Sequence, residues 1–401
     1  MQETYDAVVA GGGPSGLQFA RELTQRTEFS VAVLEAHDEL ADNDKSTGGT
    51  FDQVVEGYDV PDSVVMADSS GVLFEGPSTS ERLDIPGYVL DFPNFLEFLG
   101  SAVEDAGGEV HTGVRVTEPV YERGSIAGVR CRADGTERTV SADLVVDATG
   151  DSAVLTRQLG MFDRDGAQRG IGKEFEAVGE FERDEMLFRF DHFDAPGGYA
   201  WTFPAGDGVF KVGVCWIDDF YERHRTDADR RIDDYVRRWA EGDDRWTVES
   251  VREVHAGRVY SNNSINTRAI DGLLAVGDAV SSINPLFGEG IRPGMESAEM
   301  AADTAIEALR AGDTSRSRLA AYERRWNDEK GGAWKLQRAV GELLYDFDPG
   351  QQDRFVRAAG GMSPAQLDRL QRYELTIPDL LELYPFQLSD LWKAPALARH
   401  I

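Results

Sequence analysis

TYDAVVAGGGPSGLQFARELTQRTEFSVAVLE, residues 4–35, reads as strand, glycine turn, helix, strand and a closing acid. Asp6 to Ala10 is an apolar run long enough for a buried strand. Gly11, Gly13 and Gly16 then supply G-x-G-x-x-G where that strand hands over to a helix. Leu17, Ala20 and Leu23 give the helix an apolar face at spacings of three. Val31 to Leu34 form the second strand, and Glu35 closes it at the distance from the glycines that a dinucleotide fingerprint requires. Gly11 permits the tight turn, Gly13 lets a pyrophosphate approach the backbone, and Gly16 lets helix and strand pack closely. The helix start offers free N–H groups and a positive dipole end to phosphates. Glu35 is placed to accept hydrogen bonds from a ribose.

Two later stretches extend this unit. Asp271 to Ala279, DGLLAVGDA, is a turn, a buried strand and a second acidic terminus at Gly277-Asp278. Asn284 to Ile291, NPLFGEGI, precedes a long helix expected from Pro293 to Arg310. An Asp at that strand end suits a ribityl chain or pyrophosphate. Amides at a helix opening near Gly288 to Ile291 suit negative charge on a reduced flavin. Together with the first glycine turn, the three segments point to FAD. No second G-x-G-x-x-G suggests a separate nicotinamide domain.

Between these segments the texture varies. Asn94 to Ala106 has helical spacing, and Val110–Val116, Ile126–Cys131 and Thr139–Val140 read as short strands. Leu144 to Asp147 reads as a further parallel strand of the nucleotide sheet. Strict alternation in Glu174–Phe181, Met186–Phe190 and Val209–Trp216 predicts a more antiparallel second sheet. Ile232, Tyr235, Val236 and Trp239 make one stripe of a helix. The expected fold is α/β (α+β overall). A Rossmann-like FAD domain takes residues 1–50, 86–165 and 256–330. A mostly antiparallel substrate domain takes 51–85 and 166–255, and a helical C-terminal region takes 331–401.

A formal charge of −31 over 401 residues argues against nucleic acid as a partner. The acids are spread along the whole chain, as in proteins of salt-accumulating halophiles. Lysine is confined to Lys45, Lys173, Lys211, Lys330, Lys335 and Lys393. Cys131 and Cys215 form no C-x-x-C, the histidines form no H-x-x-x-H, and no metal site is expected. The first strand begins within a few residues of the N-terminus and no apolar run reaches 18 residues, so a cytoplasmic protein is expected.

The chain resembles the p-hydroxybenzoate-hydroxylase-like flavoproteins and, within them, the geranylgeranyl reductase family, over about residues 4 to 300. The wider group shares Gly11–Gly16, Glu35, Gly277-Asp278 and Pro285-x-x-Gly288-x-Gly290-Ile291. Tyr199-x-Trp201-x-Phe203-Pro204 followed by Val212-Gly213 is similar to the reductases' Y-x-W-x-F-P…V-G signature, where flavin-dependent halogenases carry W-x-W-x-I-P. The resemblance implies an FAD enzyme that saturates C=C bonds of isoprenoid chains in lipids or quinones. Further FAD contacts are implied at Pro14, Ser15, Ala36, Thr47, Gly48, Gly49 and Val116. Tyr199, Trp201, Phe203 and Pro204 would bind the chain, joined by Phe190. Tyr199 and Glu289 are the candidate proton sources. An external donor, a reduced ferredoxin-like protein or NAD(P)H, is implied, with contact at the inner membrane face.

Two departures stand out. Thr47 occupies the position where the family loop carries cysteine, and Phe92 follows Tyr88-Val-Leu-Asp91 where the family has arginine, leaving Arg292 as a substitute contact. A flavin monooxygenase, an amine or hydroxy-acid oxidase, and a non-catalytic prenyl-binding protein on the same fold remain alternatives.

Overall fold

The structure is a computed structural model and describes residues 1–227, 230–261 and 267–384. Residues 262–266 of the expected FAD domain and 385–401 of the expected C-terminal region lie outside the described residues.

The strand Thr4–Ala10 sits near the centre of the first sheet, paired in parallel with Val31–Leu34 on one side and Thr136–Asp147 on the other. Leu273–Ala275 and Glu109–His111 extend the parallel array outward. Both faces of the central strand are covered, which is why its sequence is a continuous apolar run rather than an alternation. Ala7 and Val9 join one core with the helices Pro14–Arg26, Phe92–Asp105 and Ile291–Ala311. Val8 and Ala10 face a second core with Val114, Val116, Ile126 and Val129. Thr136–Asp147 is one strand with two duties, where the sequence suggests two short ones. Its start pairs antiparallel with Gly128–Ala133, and from Ser141 onward it pairs in parallel with Thr4–Ala10.

The helix expected from Asn94 begins two residues earlier, at Phe92, because Asp91 caps it by accepting from the Asn94 amide. The long helix expected from Pro293 starts two residues earlier, at Ile291. Gly288, in the left-handed region at φ 73°, turns the chain just before it.

A second sheet of seven strands runs Trp246–Ser261, Gln168–Phe181, Val209–Ile217, Gly198–Pro204, Glu185–Arg189, Gly71–Glu75 and Ser80–Leu83. All neighbours are antiparallel except Glu185–Arg189 with Gly71–Glu75. One face buries Phe175, Val212, Val214 and Trp216 against Tyr235, Val236 and Trp239 of the helix Ile232–Glu241. The opposite face carries Tyr199, Trp201 and Phe203. A small third sheet joins Gly49–Thr50 and Val65–Ser69 through Gly87–Leu90. The helices Gly332–Leu344, Pro349–Gly360, Pro364–Arg372 and Ile377–Leu383 form the C-terminal region and pack their apolar residues beneath the second sheet.

Candidate active site between the two sheets

A cavity of about 740 Å³ begins at the glycine turn, passes Glu35 and Asp278, and reaches Trp201, Phe203 and Tyr373. The three glycines of the turn behave differently. A Cβ on Gly11 would lie 2.4 Å from the Ala148 carbonyl oxygen, and one on Gly16 would lie 2.1 Å from that of Gly11. Gly13 is open, since its Cβ would meet nothing nearer than Asn43 at 4.0 Å. Gly11 and Gly16 therefore permit close packing of strand and helix, while Gly13 leaves room at the cavity wall.

Glu35 is buried, with one oxygen accepting from the Gly12 amide at 2.7 Å and the other from the His37 amide at 2.9 Å. These bonds fix the carboxylate at the cavity edge. Two helices, Pro14–Arg26 and Ile291–Ala311, begin at the cavity; the first has no side-chain cap, and in the second Glu289 Oε1 accepts from the Arg292 amide. Gly277 and Gly294 bring their starts together, for a Cβ on either would come within 2.5 Å of Ser15 Oγ.

The fit to FAD rests on polar atoms that the fold leaves unanswered. Asn43 Oδ1, Thr47 Oγ1 and Asp278 Oδ1 are buried at the cavity and meet no hydrogen-bond partner among the described residues. Buried polar atoms are nearly always paired, so unpaired ones converging on a cavity fit a polar ligand. Burial lifts the Asp278 carboxyl to about 6, against the opposing pull of Lys45. A proton shared with a sugar hydroxyl suits such a group. With two helix starts facing the same space, the residues fit a long dinucleotide.

Most of the sequence-derived positions meet here. Pro14, Ser15, Ala36, Thr47, Gly49, Val116, Pro285, Gly288, Glu289, Gly290 and Ile291 line the cavity. Gly16, Gly48 and Gly277 stand behind the wall as packing positions, and Pro204 lies outside it at the end of its strand. Phe190 is packed into the core against Phe74 and Phe355 rather than the cavity. Arg292 lies behind the wall too, over the Tyr373 ring with its guanidinium 4.3 Å from the centroid.

The aromatic signature acquires a structural reason. Trp201 and Gly213 are cross-strand partners, as are Gly213 and Glu174 one strand further on. The indole crosses the bare glycine and donates from Nε1 to Glu174 Oε2 at 2.7 Å. A Cβ on Gly213 would lie 2.3 Å from the indole ring. The Tyr199 hydroxyl donates to the Phe287 carbonyl at 2.6 Å, linking the second sheet to the turn before Gly288. Its proton is thus engaged, and burial holds the phenol well above its ordinary range. Burial also raises the Glu289 carboxyl, whose Oε1 accepts from the Arg292 amide. Cys215, paired across the strands with Tyr199, is pushed up to about 12 by burial.

Sequence reading did not single out Glu174, His255 or Tyr373 as cavity residues. Tyr345, Leu370 and Gln371 of the C-terminal helices also reach the wall. Glu174 and Glu176 alternate along their strand, a pattern that by itself reads as a face turned to water.

A family model described as FAD binding domain matches residues 4–330. The digeranylgeranylglycerophospholipid reductase of Haloferax volcanii is 35% identical, over 93% of this chain and 96% of that protein. Digeranylgeranylglycerophospholipid reductase 1 of Methanopyrus kandleri is 28% identical, over 86% of this chain and 92% of that protein. Among solved structures, a geranylgeranyl bacteriochlorophyll reductase-like protein from Thermoplasma acidophilum superposes with a TM-score of 0.84 at 21% identity, covering 100% of both chains.

Proposed function

The chain belongs to the FAD-binding-domain family and, within it, to the digeranylgeranylglycerophospholipid reductases, and on that premise we propose that it saturates the C=C bonds of geranylgeranyl chains on a membrane glycerophospholipid. The observation that carries the reading is continuity. One cavity joins a glycine turn suited to a dinucleotide with the aromatic face of Tyr199, Trp201 and Phe203. That geometry presents an apolar chain to a cofactor within one continuous space.

FAD, when bound, supplies the electron pair and hydrogen for the reduction. Its ADP half would be held by Gly11 to Ser15 and Glu35, its middle by Asp278 and the 47–49 loop, and its ring end by Gly288 to Ile291. The protein's own groups do the rest. Phe203 and Trp201 provide apolar contact for the isoprenoid, and the Glu174 bond holds the indole in one orientation. Tyr199 pins the Phe287 carbonyl, which fixes the turn that leads into the helix from Ile291. The division into a cofactor domain of 1–50, 86–165 and 256–330, a substrate domain of 51–85 and 166–255, and a helical region from 331 follows the same proposal.

Electrons must enter from outside, from a reduced ferredoxin-like protein or NAD(P)H. No helix among the described residues is long and apolar enough to cross a membrane. Peripheral contact at the inner membrane face is supported by Ile377 and Leu381, which stand exposed on the helix Ile377–Leu383. Anaerobic photoreduction of the loaded protein, followed by digeranylgeranylglycerophospholipid in one arm and menaquinone in another, tests the substrate. Reoxidation by the lipid is the expected result. If neither arm reoxidises it, the reductase reading fails.

A further inference from the structure

We propose that Glu174 delivers the proton to the alkene, resupplied from solvent through His255 and Glu253. The proposal rests on the reductase reading above. Saturating an alkene requires a proton on one carbon as well as a hydrogen with its electron pair on the other.

The other candidate groups near the aromatic face are engaged. The Tyr199 hydroxyl donates to Phe287, and Glu289 Oε1 accepts from the Arg292 amide. The other Glu289 oxygen, buried without a hydrogen bond among the described residues, faces the Arg292 guanidinium at 3.8 Å, a cation that favours the ionised form. Glu174 differs. It is 3% exposed, sits in the cavity wall, and uses only Oε2 to hold Trp201. Its Oε1 is buried and meets no hydrogen-bond partner among the described residues. A carboxyl with one oxygen fixed and the other free is oriented yet able to exchange a proton.

The strand register supplies the route. Glu174 and His255 are direct cross-strand partners, a relation that places Cβ atoms about 4.5–5.5 Å apart. His255 Nδ1 lies 2.8 Å from the main-chain oxygen of Asp44. A carbonyl oxygen only accepts, so Nδ1 carries the hydrogen and Nε2 is the basic nitrogen. Nε2 is buried and unpartnered among the described residues, on a ring whose side chain is 5% exposed. Glu253 Oε2 stands 3.9 Å from it on a side chain that is 49% exposed, which opens the path to water. The same face also carries Glu176 and Lys211, cross-strand partners of each other, with Asp44 on the loop above.

The balance is complete. The O–H bond of Glu174 breaks as a C–H bond forms on one alkene carbon, and the hydrogen and electron pair for the other carbon would come from the reduced flavin held at the neighbouring end of the cavity. His255 and Glu174 make no direct hydrogen bond, so the carboxylate regains its proton from protonated Nε2 of His255 through an intervening water, and Glu253 and bulk water recharge the imidazole.

The test uses the FAD-loaded protein, reduced anaerobically and mixed with digeranylgeranylglycerophospholipid. E174Q keeps an oxygen that accepts from Trp201 but has no acid. We expect its reoxidation to slow by at least about 100-fold, with FAD content and lipid Kd unchanged. E174D should recover part of the rate, and it carries the test alone if E174Q does not hold FAD. H255Q should slow the reaction less and show an enlarged solvent deuterium isotope effect. W201F removes the hydrogen bond but leaves the carboxyl, so it should lose less than E174Q. Equal losses in W201F and E174Q would mean that Glu174 acts only by orienting the indole, which overturns the proposal. So would an E174Q rate and isotope effect matching the parent protein. A parent protein that no prenyl lipid reoxidises instead sinks the reductase reading on which the proposal stands.

Discussion

Trp201 reaches Glu174 only by crossing the strand that lies between them, and it does so over Gly213, where no side chain blocks the indole. The two ends of the aromatic signature are thereby one unit: the glycine exists for the tryptophan, and the tryptophan holds the acid. Substituting Gly213→Ala places a methyl 2.3 Å from the ring. The indole should swing out of the wall, leaving both Nε1 and a Glu174 oxygen unpaired at a cost of about 1–3 kcal/mol. Quenched or shifted tryptophan fluorescence together with lost lipid turnover is the expected outcome.

Tyr199→Phe asks whether the phenol is a support or a proton source. It removes the bond to the Phe287 carbonyl but keeps the ring in the wall. Stability should fall by about 1–3 kcal/mol in denaturant titration, while single-turnover reduction of the lipid survives. An abolished rate with normal FAD and lipid binding would return Tyr199 to the chemistry.

Gly277→Ala addresses the cofactor. The residue sits at φ 59°, and its Cβ would come 2.4 Å from Ser15 Oγ. Left-handed strain of about 1–2 kcal/mol adds to a clash that separates the two helix starts. The purified variant should carry markedly less flavin, read directly from its visible absorption.

Asp278 gives a pH signature in the FAD-free protein. Its carboxyl is raised from 3.8 to about 6 by burial. The folded state therefore keeps a proton that the unfolded state releases, and stability falls as pH rises from about 4 to about 6. Above that window the full penalty, about 3 kcal/mol, is in place. Asp278→Asn should raise the apoprotein's Tm at pH 8 and leave it little changed at pH 4, while weakening FAD retention.

Salt should matter as well. A formal charge of −31 repels itself, and lowering salt from about 1 M to about 0.1 M lengthens the Debye screening distance from ~3 to ~10 Å. Circular dichroism melts should show Tm falling steadily across that range. Insensitivity to salt would mean that the surface ion pairs already neutralise the acids locally.

Local chemistry made the first sheet readable. The run from Thr4 to Glu35 contains its own strand, turn, helix and strand, so covalent neighbours are also spatial neighbours. The bounds of Val31–Leu34 emerge unchanged, and Asp278 lies in the cavity wall as its place after a buried strand suggests. The wall of the substrate end was harder to read. Gly172, Glu174 and Glu176 share one face of their strand, and acids in alternation look like a face turned to water. Gly172 and Glu174 in truth line the cavity, together with residues of the C-terminal helices and of the loop from Asp42 to Thr47, while Glu176 lies outside it. His255 becomes a neighbour of Glu174 only through strand pairing between distant segments. Pairing of that kind leaves no pattern within either segment.

The cavity's far wall has a different origin from its near wall. Tyr345, Leu370, Gln371 and Tyr373 all follow residue 330, where the match to the FAD binding domain ends. The stretch matched by the FAD binding domain thus supplies the glycine turn and the aromatic face of the cavity, and the stretch after it supplies the remaining wall. Exchanging the last helices between relatives would therefore reshape one wall of the cavity and leave the glycine turn untouched.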